Sequence, residues 1–221
     1  SSLMVTGAGL MVNASLPDVA PAFTGSYFSL IKSTLSQLKR FALLRRTALL
    51  GALVFGVFCS FWTTLTFHLS GAPFGYGPDT IGLFGIIAIA GALLAPMFGG
   101  LADKGSPKRS LQITVGMVLA AVMLLLAMPL SVPAIAIAVL LLDVGVQATQ
   151  VTNVATIYTL DETAHSRINT AYMTSYFIGG SAGTFVGIQC WKTGGWEMVS
   201  WQMLAWCLLA FLLVTVSKFR K

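Results

Sequence analysis

Apolar runs of about twenty residues recur six times along this chain, at positions 47–68, 80–101, 110–130, 133–158, 169–191 and 199–217, and about twenty residues of α-helix cross the hydrocarbon core of a bilayer. Lipid offers no partner to a bare peptide group, so each run must satisfy its own N–H and C=O groups, which a helix does and an open strand does not. None of the runs shows strand alternation. Of the 221 residues 56% are hydrophobic and only 9% charged, too little charge to coat a soluble domain of this length. The connections are short and rich in helix breakers: "SGAPFGYGPD" from Ser70, "PLSVP" from Pro129 and "KTGGWE" from Lys192. They leave no room for a domain outside the membrane. The chain reads as an all-α polytopic membrane protein whose six transmembrane helices fill 47–217.

The first 46 residues differ in kind. "SSLMVTGAGLMVNA" (1–14) is apolar for too short a distance to cross, and no Lys or Arg precedes Lys32 to form the basic start of a cleavable signal. It reads as the remnant of a preceding transmembrane helix. Residues 15–46 are punctuated by proline and then basic, with Leu30, Leu35, Leu38, Phe41 and Leu44 at near-helical spacing, which predicts a cytoplasmic linker carrying an amphipathic helix at the membrane surface. Residues 218–221 form a basic tail. With six crossings, every Lys and Arg except Lys192 falls on one side, so the positive-inside rule puts both termini in the cytoplasm. The net charge of +6 then reflects topology and anionic headgroups, and no folded basic surface is left to bind nucleic acid.

Catalytic and metal chemistry find no footing. Cys59, Cys190 and Cys207 fall in separate helices without metal-ligand spacing, and His68 and His165 stand at helix ends far from a second ligand. No Ser-His-Asp or paired-carboxylate arrangement occurs. The expectation is a protein that is not an enzyme and holds neither metal nor cofactor.

Charge returns abruptly in "GGLADKGSPKRS" (99–110), between the second and third spans. Gly99, Leu101, Ala102, Asp103, Lys104, Lys108 and Leu111 fit the pattern G-x-L-A-D-R-x-G-R-K-x-x-L, and the segment resembles the loop after helix two, or its weaker copy after helix eight, of major facilitator superfamily transporters. Ser106 stands at the pattern's second glycine and Pro107 at its next basic position, which suits the weaker copy. A longer segment, Leu141 to Gly187, "LLDVGVQATQVTNVATIYTLDETAHSRINTAYMTSYFIGGSAGTFVG", resembles helices ten and eleven of drug-efflux-type facilitators, in particular bacterial sugar-efflux permeases related to the arabinose exporter.

The resemblance implies that the six helices are helices seven to twelve of a twelve-helix transporter, built as a 3+3 inverted repeat in the bacterial inner membrane. The missing N-terminal six-helix half, the lipid bilayer, a small-molecule substrate and protons are the implied partners. The alternative is a non-transporting fragment or a six-helix assembly module. In the family fold helices seven and ten line the cavity, nine and twelve face lipid, and eight and eleven meet the other half. Small residues at four-residue spacing fit that last role: Ala171, Ser175, Gly179, Gly183 and Gly187 on helix eleven, and Gly91, Ala95 and Gly99 on helix eight. The partner of each stripe is thus expected outside this chain.

Asp143 is the one acid well inside a span, and Gln147 and Gln150 follow on its helix face, with Asn153 close by. Two readings stand: a carboxyl that titrates or meets substrate in a water-filled cavity, or one that locks helix packing. Phe55, Phe58, Trp62 and Thr66 share a face of helix seven, suited to stacking a substrate or to ordinary packing. The resemblance further implies a cytoplasmic gate at Asp103, closed against the N-terminus of a helix from the other half. Lys108 or Arg109 is expected to pair with Asp161 or Glu162, tying the two three-helix units together, while Lys104 anchors topology.

Overall fold

The computed structural model describes residues 5–7, 9, 11, 27–103 and 106–216, without the side chains at 27, 28, 30, 90, 92 and 94–103. The chain divides into two compact units, Ser1–Lys32 and Ser33–Lys221. The remnant expected at 1–14, most of the linker before residue 27 and the tail at 218–221 lie largely or wholly outside the described residues.

The described elements are α1 (Tyr27–Arg40), α2 (Ala42–Ser70), α3 (Pro78–Asp103), α4 (Pro107–Ala127), α5 (Val132–Tyr158), a 3₁₀ turn (Glu162–Ala164) and a helical stretch, His165–Val216. That stretch is two helices. Gly194 leaves the helical region and Gly195 adopts φ 62°, ψ −151°, a left-handed backbone that a residue with a Cβ resists. The break separates α6 (165–193) from α7 (196–216). Among the described residues Ala42–Ser70, Pro107–Ala127, Val132–Tyr158 and Glu162–Val216 are long and apolar enough to cross a membrane. The last of these, at 55 residues, is long enough for two crossings joined by the Gly–Gly break. Helix α3, at 26 residues, has the length for a further crossing.

Local chemistry sets the ends. Ser106 and Ser131 are extended N-caps whose hydroxyls accept from the amides of Arg109 and Ala134, with Pro107 and Pro133 in the first turn, where a missing N–H does no harm. The first crossing begins at Ala42, five residues before the apolar run predicts. Phe41 is extended and breaks the chain between α1 and α2, and Arg45 Nη1 turns back to the carbonyls of Leu38 (2.8 Å) and Lys39 (3.0 Å). A cation at the end of α1 satisfies carbonyls left bare by its last turn. Leu44, read from sequence as part of the surface helix, is instead fully buried in α2.

The helices pair in a pattern with internal symmetry. α2 packs on α6 and α7, α5 packs on α3 and α4, α4 meets α7, and α2 touches α5. Exchanging the first three helices for the last three (α2 for α5, α3 for α6, α4 for α7) returns the same set, as a 3+3 repeat requires. Glycines occupy corresponding contacts: a Cβ on Gly56 of α2 would run into the Trp206 ring of α7, and one on Gly145 of α5 would lie 2.7 Å from Val118 Cγ2 of α4. The α4–α5 seam also carries buried hydroxyl pairs, Ser110 to Thr152 (2.9 Å) and Thr149 to Thr114 (2.8 Å).

One expectation about packing is overturned. Gly179 and Gly183 of α6 lie directly on the backbone of Ala52 and Gly56 of α2, and Gly187 lies on Ser60. The partner of that stripe is inside the chain. Without hydrophobic attraction between helices in lipid, close backbone approach maximises dispersion contact, and α2 offers the small residues to meet it. Gly91 likewise packs within the chain, on α5. At Ala95 and Gly99 only the helical backbone is described.

Candidate functional site

Helix α5 is the spine of the polar interior, and its polar residues reach three different neighbours. Asp143 is 4% exposed, and its Oδ2 has no hydrogen-bond partner among the described residues. It sits against α3, where a Cβ built on Gly91 would be 3.0 Å from Asp143 Cβ. One turn on, Gln147 is half-buried. Gln150 turns to α6: its Nε2 lies 3.9 Å from Met173 Sδ, and the Tyr176 hydroxyl donates to its Oε1 at 3.5 Å. Asn153 is fully buried between α2 and α6, its Nδ2 donating to Tyr172 Oη (3.3 Å) and Thr47 O (3.5 Å). The face read from sequence as one polar wall is therefore shared among α3, α6 and α2.

Aromatic rings continue the site along α2. Tyr176 stacks on Phe55 at 4.0 Å between centroids, Phe55 on Phe58 at 5.7 Å, and Phe58 lies 6.3 Å from Trp62. Phe58 and Trp62 are half-buried, whereas Thr66 is exposed. Phe55 also lines an open groove of about 570 Å³ between α2 and α6, with Cys59, Gly180 and Thr184 among its walls. Gln150 lines a second groove of about 400 Å³ with Val154 and Tyr158. Tyr176 links Gln150 to Phe55, Tyr172 holds Asn153, and the sequence reading missed both. The available signal was a pair of phenols four residues apart in an otherwise apolar span.

His68, at the other end of α2, has a structural part. Its Nε2 donates to Pro129 O at 2.8 Å, its ring stacks on Trp196 at 4.1 Å, and it helps line a cavity of about 610 Å³ with Leu125, Trp196 and Leu204.

At the opposite, basic end the expected pairing of Lys108 or Arg109 with Asp161 or Glu162 does not form. Lys108 Nζ donates instead to Thr215 O (2.6 Å), because the start of α4 lies beside the end of α7, whose terminal carbonyls attract a cation. Arg109 and Glu162 are exposed. Asp161 caps the 3₁₀ turn, accepting from the amide (3.0 Å) and hydroxyl (2.6 Å) of Thr163, and pairs with Arg40 Nη1 at 2.8 Å. The Thr163 hydroxyl, with smaller help from Arg40, holds the Asp161 carboxyl below the usual carboxylate range. Of the proposed gate, Gly99 and Asp103 belong to α3 with side chains outside the described residues, and Lys104 is outside them altogether.

Apolar crossings, internal pairing symmetry and a polar interior on α5 are features of a membrane transporter. Residues 4–188 match the model of the Major Facilitator Superfamily. The chain belongs to that superfamily of membrane transporters and is a multi-pass membrane protein. It is 36% identical over 196 residues to the "Putative uncharacterized transporter YgaY" of Escherichia coli K12, which covers 89% of this chain and 50% of that protein. The "Uncharacterized transporter YgaY" of Escherichia coli O157:H7 matches to the same extent. The "Probable transporter SCO4007" of Streptomyces coelicolor A3(2) is 27% identical over 145 residues, 65% of this chain and 33% of that protein. The chain spans about half the length of the YgaY relatives.

Proposed function

We propose that this chain forms the C-terminal half of a secondary active transporter that exports a small organic solute, a sugar or a drug, in exchange for protons by alternating access. The observation that carries the reading is Asp143: a carboxyl buried inside a crossing, with no hydrogen-bond partner among the described residues. An ionised carboxylate is expensive at that depth, and protonation removes the charge. A group whose charge is costly in one state and solvated in another can bind a proton on one side and release it on the other. Gln150, Asn153, Tyr172 and Tyr176 supply hydrogen-bonding groups, and Phe55, Phe58 and Trp62 supply rings against which an apolar or amphipathic solute stacks. The basic end, with Lys108, Arg109 and the acid Asp103 of the sequence motif, faces the cytoplasm in this reading, and Asp103 closes the gate against the other half.

The test joins this chain to an N-terminal six-helix half and reconstitutes the whole in liposomes carrying a pH gradient, with pentoses and ethidium as probes. Asp143→Asn is expected to abolish gradient-driven movement of the transported probe while insertion and yield stay unchanged. Gradient-driven movement at the parent rate in Asp143→Asn overturns the assignment.

A further inference from the structure

We propose that Gly91 is a positioning residue for Asp143, and that the closeness of α3 to α5 at this point decides whether the carboxyl meets water. The inference rests on the reading of Asp143 as the proton site. A Cβ on Gly91 would lie 3.0 Å from Asp143 Cβ and 3.6 Å from both Leu140 Cδ1 and Leu140 O. The Leu140 distances are ordinary contacts, but the approach to Asp143 is tighter than nearly all real Cβ contacts, so a side chain at 91 shifts α3 from α5 or moves the acid by a few tenths of an ångström. The same helix shows that the requirement is local: at Gly82 and Gly85 a Cβ meets nothing within 4 Å. The outer face of α3, with Leu83, Ile86, Ile89 and Leu93, is exposed and apolar, so the glycine marks the side that touches Asp143.

The charge environment makes this contact decisive. Between Ile81 and Ala102 on α3, and between Ser110 and Ala127 on α4, the sequence has no titratable side chain. α5 itself adds only Tyr158 near its end, α2 adds Arg45 and Arg46 at its start, Cys59 in its middle and His68 near its far end, and α6 adds His165 and Arg167 at its start, Tyr172 and Tyr176 along its length, and Cys190 and Lys192 near its end. None of these is a hydrogen-bond partner of Asp143 Oδ2. Among the described residues, Asp143 Oδ2 therefore has no hydrogen-bonded group to hand a proton to. It must exchange with water, and Gly91 lets α3 close against it.

The experiment uses dicyclohexylcarbodiimide, a lipid-soluble reagent that adds to protonated carboxyls, on the full chain in liposomes across a pH series, with the modified peptide identified by mass. Asp143 is expected to label in the parent, and Asp143→Asn to lose that label. Gly91→Ala wedges the seam and Leu140→Ala opens space beside it, so both admit water and move the Asp143 labelling profile to lower pH by about one unit or more. Gly85→Ala keeps the parent profile. Should Gly91→Ala fail to fold, as judged by thermal unfolding, Leu140→Ala carries the test. Parent profiles in the folded seam variants overturn the role of Gly91 while leaving Asp143 as a proton site. Absence of Asp143 label in the parent at every pH overturns the reading on which the inference rests.

Discussion

At the scale of single residues, the polar contacts of α5 with α2 and α6 are few and long, whereas the hydroxyl pairs it makes with α4 are short. Tyr172 is fully buried and takes one hydrogen bond from Asn153, at 3.3 Å, while its ring edge and hydroxyl fill the space left by Gly51, where a Cβ would lie 2.8 Å from Oη. Tyr172→Phe keeps the ring and removes the acceptor, so it is expected to cost only about 0.5–1 kcal/mol, the usual worth of such a bond between membrane helices. Gly51→Leu leaves the ring nowhere to go and is expected to cost more, about 1–3 kcal/mol or above. Reversible unfolding in mixed detergent measures both, and a phenylalanine variant less stable than the leucine one would reverse this account. Asp143 was legible in the sequence because a lone acid in an apolar run stands out. Tyr172 and Tyr176 were not, since a phenol is half apolar and its role depends on which helix lies opposite.

At the scale of elements, the contact of α2 with α6 is backbone against backbone. Gly183→Val is expected to destabilise the chain by about 3 kcal/mol or more, because its Cβ meets the Gly56 carbonyl and no rotamer relieves that. Ala182, one position away, is exposed, and Ala182→Val is expected to change stability by less than about 0.5 kcal/mol. Equal loss in the two, read as thermal midpoints in detergent, would refute the packing assignment. The end of α1 is tied to the turn before α6 by Arg40 and Asp161. Asp161 has a lowered carboxyl pKa, so its contribution is present above the ordinary carboxylate value and is lost as pH falls through the lowered one. Protease protection at 33–40 is therefore expected to hold from about pH 8 to about pH 5 and to weaken only below about pH 4. Weakening near neutral pH would show that another group controls the tie. Placement at the same cytoplasmic end suggested Lys108 or Arg109 as partner for Asp161 or Glu162, but α4 starts beside α7, and Arg40 is the cation that reaches Asp161.

At the scale of the whole molecule, a helical membrane bundle that satisfies its own small-residue stripe differs from one that waits for a partner. With Gly179, Gly183 and Gly187 already packed on α2, the 221-residue chain is expected to insert and stay folded by itself. In the proposed reading it provides one wall of a cavity and nothing to rock against, so liposomes holding it alone are expected to show no saturable, gradient-driven flux of pentoses or ethidium. Co-reconstitution with an N-terminal six-helix half is expected to restore flux. Saturable flux by the chain alone would overturn the half-transporter reading.

The sequence by itself determined the number of crossings, most of their ends and the all-helical class. Those depend on bilayer thickness, on the cost of bare peptide groups in lipid and on local breakers such as Pro107, Ser131 and the Gly194–Gly195 pair. Only the tertiary structure decided which face meets which helix: the Gly179 stripe turns inward to α2, Asp143 to Gly91, and Lys108 to the end of α7. The physical reason is that every helix from α2 onward is apolar nearly all round. Hydrophobicity fixes its depth in lipid but leaves its rotation to shape, and shape is a property of pairs of helices that no single stretch of sequence carries.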